Sequence, residues 1–188
     1  TGWTTTTFGL AIAIQNLAWG IGQPIFGAIA ERVGERKAII AGVLLYAIGL
    51  ALSAFAVTPG QHYILEIAVG FGIAGTGFGL ILAIIGRAAS DENRSMALAI
   101  ATAAGSGGQI FGPPLAEALL QIMSWQSVFL IFAAAILAVL FLLPSLSSPS
   151  AAARNEPEET LGAVLSRAFR DPSFTLIFVG FFSCGYQL

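Results

Sequence analysis

Gly27-Ala-Ile-Ala-Glu31-Arg32-Val-Gly34-Glu-Arg36-Lys37 is a short charged stretch held between two long apolar runs. Thr7 to Ala30 leads into it and Ala38 to Val57 leads away. Each run comes near the ~20 residues with which an α-helix crosses the hydrocarbon core of a bilayer. Two such helices joined so closely must run antiparallel, which puts the charged stretch at a membrane surface. Further along come three more apolar runs, Tyr63 to Ala89, Ser95 to Ile122 and Val128 to Leu143. A last one, Phe174 to Leu188, is short of a full span. The expected fold is an all-α membrane bundle of five complete spans and the start of a sixth.

Composition agrees. Apolar residues make up 56% of the chain and charged residues 10%, against about 25% charged in a soluble domain. The net charge of -2 comes with no basic stripe, so nothing points to nucleic acid. The single cysteine, Cys184, excludes an internal disulfide and reads as a buried thiol. A secretory signal peptide is not expected, because the first apolar run is too long and lacks a basic flank. The chain starts at Thr1 and stops inside an apolar run, as expected of a fragment.

The basic residues set an orientation. Arg32, Arg36, Lys37, Arg87, Arg94, Arg154, Arg167 and Arg170 are all the Lys and Arg present. Every one falls on the same side of the predicted spans. The opposite connections, Thr1 to Thr6, Thr58 to His62 and Ser124 to Ser127, have none. Basic loops stay in the cytoplasm, so the expected cytoplasmic segments are Glu31 to Lys37, Ala88 to Arg94 and Pro144 to Ser173. Trp3, His62, Tyr63 and Trp125 then lie near the outer interface, where amphipathic rings are favoured. In the long polar segment, Ser145 to Pro157 reads as flexible linker and Glu158 to Phe169 as a helix. Leu161, Val164, Leu165, Ala168 and Phe169 recur at the spacing of one helical face. That pattern suits a helix lying on the membrane surface; a plain soluble linker helix accounts for it equally.

Polar side chains are unevenly shared among the spans. Val128 to Leu143 has none, and Ala38 to Val57 has only Tyr46 and Ser53. These two spans are expected at the periphery, and the Gly-rich, polar spans at the centre. On the first span, Asn16, Gly20, Gln23 and Gly27 share a face, and Pro24 deprives the Gly20 carbonyl of its helical donor. On the fourth, Thr102, Ser106, Gln109, Pro113 and Glu117 do the same, with the small-xxx-small pair Gly108 and Gly112 close by. Pro113 and Pro114 are expected to kink that span. These stripes suit a translocation path lined by Asn16, Gln23, Thr102, Ser106, Gln109, Gly112 and Pro113. Amide and hydroxyl contacts between helices are the alternative.

Glu66 and Glu117 are the only carboxylates in the spans away from the charged stretch. Acidic groups there are costly and usually functional, which makes both candidates for proton coupling. The plainer alternative has Glu66 reaching the outer interface and Glu117 hydrogen-bonding a neighbouring helix.

Gly27, Glu31, Arg32, Gly34, Arg36 and Lys37 resemble the loop between the second and third helices of the major facilitator superfamily, with Glu31 where that family usually has Asp. The resemblance extends along nearly the whole chain. It implies helices 2 to 6 of an amino-terminal bundle at residues 1–143, the central cytoplasmic linker at 144–173 and the start of helix 7 at 174–188. In the family the charged loop is a cytoplasmic latch between the two halves of the transporter.

Gly108 to Pro113 resembles the fifth-helix motif associated with antiporters, although Ala116 and Glu117 stand where its closing glycine pair belongs. Glu66 replaces the arginine of the fourth-helix motif, so that residue's role does not transfer. Gly2-Trp3, Arg94-Ser95 and Phe181 to Tyr186 are similar to the bacterial monocarboxylate and oxalate-formate branch.

The resemblance implies a secondary active transporter in the cell (inner) membrane that moves a small solute, with an organic anion such as a monocarboxylate as one candidate. Its partners would be the bilayer, the solute with or without protons, and the carboxy-terminal half of the same chain. No cofactor or metal is expected, since one Cys and one His are too few for a site. A proton-coupled drug or metabolite exporter is the alternative within the family. A membrane-embedded enzyme needs a nucleophile beside a base, and no such cluster lies in a span. A non-transporting, channel-like bundle would not need the charged latch.

Overall fold

The computed structural model describes residues 3–145 and 161–185. The linker reading, with Arg154 and Glu158, and the residues Thr1, Gly2 and Tyr186 lie outside the described residues. The chain divides into two compact units, Thr1–Ala151 and Ala152–Leu188. The first holds α1 (Thr5–Val33), α2 (Glu35–Ser53), α3 (Pro59–Thr76), α4 (Phe78–Ala88), α5 (Arg94–Ile122) and α6 (Trp125–Ala138). Beyond α6 the chain tightens into a 3-10 segment, Val139–Ser145. The second unit holds α7 (Leu161–Arg170) and α8 (Pro172–Gly185). There is no strand among the described residues.

Local chemistry sets several helix starts. Thr58 accepts from the Gln61 backbone N–H while Gln61 Oε1 accepts from Thr58 N–H, with Pro59 opening the helix. This reciprocal cap satisfies two donors that would otherwise lack partners. Ser124 and Thr4 cap α6 and α1 through their side chains.

The charged stretch is less of a loop than the sequence suggests. Glu31 and Arg32 belong to the last turn of α1, and Glu35, Arg36 and Lys37 to the first turn of α2. Gly34 alone is non-helical, at φ 96° and ψ 144°. Side chains rarely adopt that geometry, and glycine adopts it freely.

Three expectations are corrected. First, the span read as Tyr63 to Ala89 is interrupted at Gly77, which is extended (ψ 164°) and divides it into α3 and α4. The local sequence, Gly75-Thr-Gly77-Phe-Gly79, has little helix propensity, and the Thr76 hydroxyl donates back to the Gly72 carbonyl (3.0 Å) at the end of α3.

Second, α2 is not peripheral. It packs against α3, α6 and α1 and buries Ala38, Gly42, Val43, Ala47, Gly49 and Ser53. An apolar helix with small residues on one face can be central as readily as lipid-facing. Third, α5 is not central in this unit: none of its residues is buried. It stays helical through Pro113 and Pro114, as α1 does through Pro24.

Close helix contact comes from α3 rather than from the Gly108 and Gly112 pair. A Cβ on Gly42 would stand 2.6 to 2.9 Å from the Gly75 backbone, and one on Gly70 would stand 2.8 Å from the Ala18 Cβ. Gly72 abuts the Tyr46 backbone just as closely. A Cβ on Gly108 or Gly112 would meet nothing within 4 Å. In lipid, where apolar surface gains little from leaving the solvent, such backbone proximity is a main source of helix association.

Three of the helical stretches are long and apolar enough to cross a membrane: Glu35–Ser53, Pro59–Ala88 and Trp125–Leu143. At 29 residues each, α1 and α5 have ample length, but their Thr, Gly and amide content makes them less apolar.

Candidate functional site

The sequence-predicted residues fall into three groups. The first is the charged end of α1 and α2. Glu31, Arg32, Arg36 and Lys37 are exposed there, around the Gly34 turn. Glu35 forms an ion pair with Arg87 near the end of α4. Its side chain is largely buried and that of Arg87 more open. Arg94 Nε donates to the Gly86 carbonyl (2.9 Å), and its guanidinium pairs with Asp91 at 2.7 Å. The start of α2, the end of α4 and the start of α5 are thus tied by charge on the side where the basic residues gather. Sequence reasoning missed Glu35. The signal was available: it is the carboxylate directly after Gly34, at the start of a helix where the macrodipole favours negative charge.

The second group is the polar stripes. Ala11, Ala18, Gly22, Phe26 and Ala30 form the buried face of α1. By helical spacing, Asn16, Gly20, Gln23 and Gly27 lie beside that face, about 120° around the helix from its centre. Asn16 is exposed and Gln23 half-buried. The Gln23 amide reaches the α3–α4 interruption: Cβ atoms built on Gly77 and Gly79 would lie 3.3 Å from its Nε2 and Oε1. Non-helical backbone at membrane depth needs protein or water around it, and Gln23 supplies a polar group there. On α5, Thr102, Ser106, Gln109, Pro113 and Glu117 are all exposed and Gly112 half-buried. The Thr102 hydroxyl donates to the Leu98 carbonyl at 2.8 Å.

The third group is a buried acid–imidazole pair. Glu66 Oε1 lies 3.5 Å from His62 Nε2, one turn earlier on α3, and both side chains are largely buried. Glu66 therefore does not simply reach out to the interface. Trp3 and Phe8 flank the imidazole, with ring centroids 5.5 and 6.3 Å away. The pair borders a cavity of about 260 Å³ among α1, α2, α3 and α6, whose wall includes Phe8, Gln15, Tyr46, Val69 and Phe129. Ser53, His62 and Glu66 are the buried polar or charged residues among those described. His62 Nδ1 has no hydrogen-bond partner among them. Glu66 and Glu117 differ sharply in setting, since Glu117 is exposed. No cluster of three His, Cys, Asp or Glu fit to hold a metal occurs among the described residues.

Comparison with known proteins accords with this architecture. The chain is 24% identical over 174 residues to the putative niacin/nicotinamide transporter NiaP of Bacillus subtilis, covering 90% of this chain and 43% of that protein. It is 29% identical over 131 residues to the methyl viologen resistance protein SmvA of Salmonella typhimurium, covering 70% of this chain and 26% of that one. It is 29% identical over 147 residues to the class C tetracycline resistance protein of Escherichia coli, covering 77% and 36%. The chain thus spans less than half the length of these relatives. The family model described as Major Facilitator Superfamily matches residues 1–188. This membrane-embedded chain, helical and without strands among the described residues, belongs to the Major Facilitator Superfamily.

Proposed function

We propose that the full-length protein is a secondary active transporter that moves a small solute across the cell (inner) membrane by alternating access, and that it is not an enzyme. The observation that carries this reading is the division of faces on α1. Ala11, Ala18, Gly22, Phe26 and Ala30 are packed, while Asn16 is exposed and Gln23 half-buried, and the polar residues of α5 are exposed along with the rest of that helix. A rigid packed unit with a polar surface left open is what a half-transporter needs in order to rock against a second half around a solute. The path would be lined by Asn16, Gln23, Thr102, Ser106, Gln109, Gly112 and Pro113. Glu31, Arg32, Arg36 and Lys37 around Gly34 would form the cytoplasmic latch to the carboxy-terminal half.

A second reading within the family is favoured by the buried charge. Among the described residues no Lys or Arg is buried, whereas Glu66 is. Such a unit offers a site for a proton or a cation more readily than for an organic anion. With drug-resistance proteins among the relatives, this supports a proton-coupled exporter of drugs or metabolites over a monocarboxylate carrier. Glu66 is the stronger coupling candidate because burial makes its ionised form costly. Glu117 has the advantage of sharing the polar face of α5.

Proton-driven flux and substrate counterflow in vesicles holding the full-length protein test both readings. Glu66→Gln should abolish the first and spare the second, with Glu117→Gln close to wild type. The reverse pattern would move coupling to Glu117, and flux that never saturates would remove the carrier reading. Glu31→Gln should slow transport with membrane abundance nearly intact.

A further inference from the structure

His62 and Glu66 lie one turn apart near the start of α3, at the end of the first unit opposite the Gly34 turn. The 3.5 Å between His62 Nε2 and Glu66 Oε1 favours the tautomer that carries its hydrogen on Nε2, toward the carboxylate. Nδ1 then holds a free lone pair. That nitrogen is buried and has no hydrogen-bond partner among the described residues. A buried polar atom without a partner is rare and asks for an explanation. A ring with one nitrogen on an acid and the other open can take a proton on one side and give one on the other.

The surroundings suit that role. Among the described residues at the cavity, the titratable group from α2 is Tyr46, while α1 brings Gln15 and α6 brings Phe129, which do not titrate. Trp3 and Phe8 lie against the imidazole, and no Lys or Arg is buried among the described residues. The cavity, about 260 Å³ with Gln15, Tyr46, His62 and Glu66 in its wall, is polar and roomy enough to hold water. On α1 its wall is Phe8, Ala11, Ile12 and Gln15. Those residues centre about 100° around the helix from Asn16, Gly20, Gln23 and Gly27. Protons moving there run beside the polar stripe rather than along it.

We propose that His62 relays protons between water at this end of the unit and Glu66, by a route separate from the solute path. The relay rests on Glu66 being the coupling carboxylate. A hydronium ion gives its proton to Nδ1, and the Nε2–H proton passes to Glu66 Oε1. The carboxylate becomes a neutral acid, the ring changes tautomer and one water is left behind. A second hydronium ion, from the cavity, then protonates Nε2 while Nδ1 returns its proton to water, which resets the ring.

The test follows protonation of Glu66 itself, in full-length protein held in lipid nanodiscs with no solute added. After a rapid drop in pH, time-resolved infrared spectra should show the carbonyl band of a protonated carboxyl group, missing in Glu66→Gln. His62→Ala should reach the same final band about a hundredfold more slowly. Imidazole in the buffer should restore the rate in His62→Ala and leave the unaltered protein as it was. His62→Gln fills the space of the ring with an amide that does not titrate; it should be slow as well, and it carries the test if His62→Ala does not fold. An unchanged rate in either variant would overturn the relay and leave Glu66 as the coupling site. A slow His62→Ala that imidazole does not restore would make His62 a packing residue and overturn the relay too. A band that survives Glu66→Gln would instead remove Glu66 as the proton site, and with it the reading on which the relay rests.

Discussion

Two helices of this protein are rich in glycine and use it in opposite ways. On α3, Gly70, Gly72 and Gly75 lie where a single added carbon would strike the backbone or side chains of α1 and α2. On α5, Gly107, Gly108 and Gly112 face open space. The first set is a packing device that lets three backbones close together. The second leaves a helix without bulk along a surface that nothing in its own unit covers. The same residue type thus marks both the closest backbone contacts of the bundle and positions where an added carbon would meet nothing.

The largest expected effect comes from violating the first set. Gly72→Leu should destabilise the folded bundle by about 2–3 kcal/mol or beyond, since overpacking a close contact displaces backbone. Membrane abundance and the thermal midpoint in detergent should both fall. An unaltered midpoint would mean that α3 has slack against α2, and the contrast with α5 would disappear. Gly34→Val comes next, at about 1–3 kcal/mol, because φ 96° suits glycine and not a β-branched residue. It differs from Gly72 in kind: nothing crowds Gly34, so Gly34→Ala should fail nearly as badly. If alanine is tolerated there, the turn has another geometry in the membrane.

The Glu35–Arg87 pair is third. With Arg87 partly exposed, removing either partner should cost about 0.2–1 kcal/mol. The exchange Glu35→Arg with Arg87→Glu should recover part of the loss; no recovery would mean the two charges act separately. Smallest is Gly108→Ala, expected to shift stability by less than about 1 kcal/mol and in the favourable direction, because alanine is the better helix former. A large loss there would show that α5 is tightly covered in the full-length protein. Unchanged stability with altered transport would sharpen the view of α5 as a working surface.

Hydrophobic run length made the helices legible, because span length is fixed by bilayer thickness rather than by neighbours. The demand for glycine at 34 was legible from the closeness of two long helices. Two features were hidden. The interruption at Gly77 is a local balance between weak propensity and tertiary contact, and an apolar run does not reveal it. The central place of α2 was misjudged because apolarity says only that a face avoids water. Whether Ala47 and Gly49 meet lipid or another helix depends on partners far along the chain. For the candidate site, helical spacing groups Asn16 and Gln23 on one face of α1, where Asn16 is exposed and Gln23 half-buried. The closeness of Gln23 to Gly77, and the pairing of Glu35 with Arg87, join residues more than fifty positions apart, and helical periodicity reaches no further than its own helix.

The single-residue turn at Gly34 bears on how the protein enters the membrane during synthesis. Of the two helices it joins, α2 is among the stretches long and apolar enough to cross a membrane, and α1, with its Thr, Gly and amide side chains, is not. One residue of connection leaves no slack for α1 to wait outside while α2 settles. The two are expected to enter together as a hairpin, the more apolar helix favouring entry of the more polar one. The glycine that closes the turn therefore links the insertion of α1 to that of the helix translated directly after it.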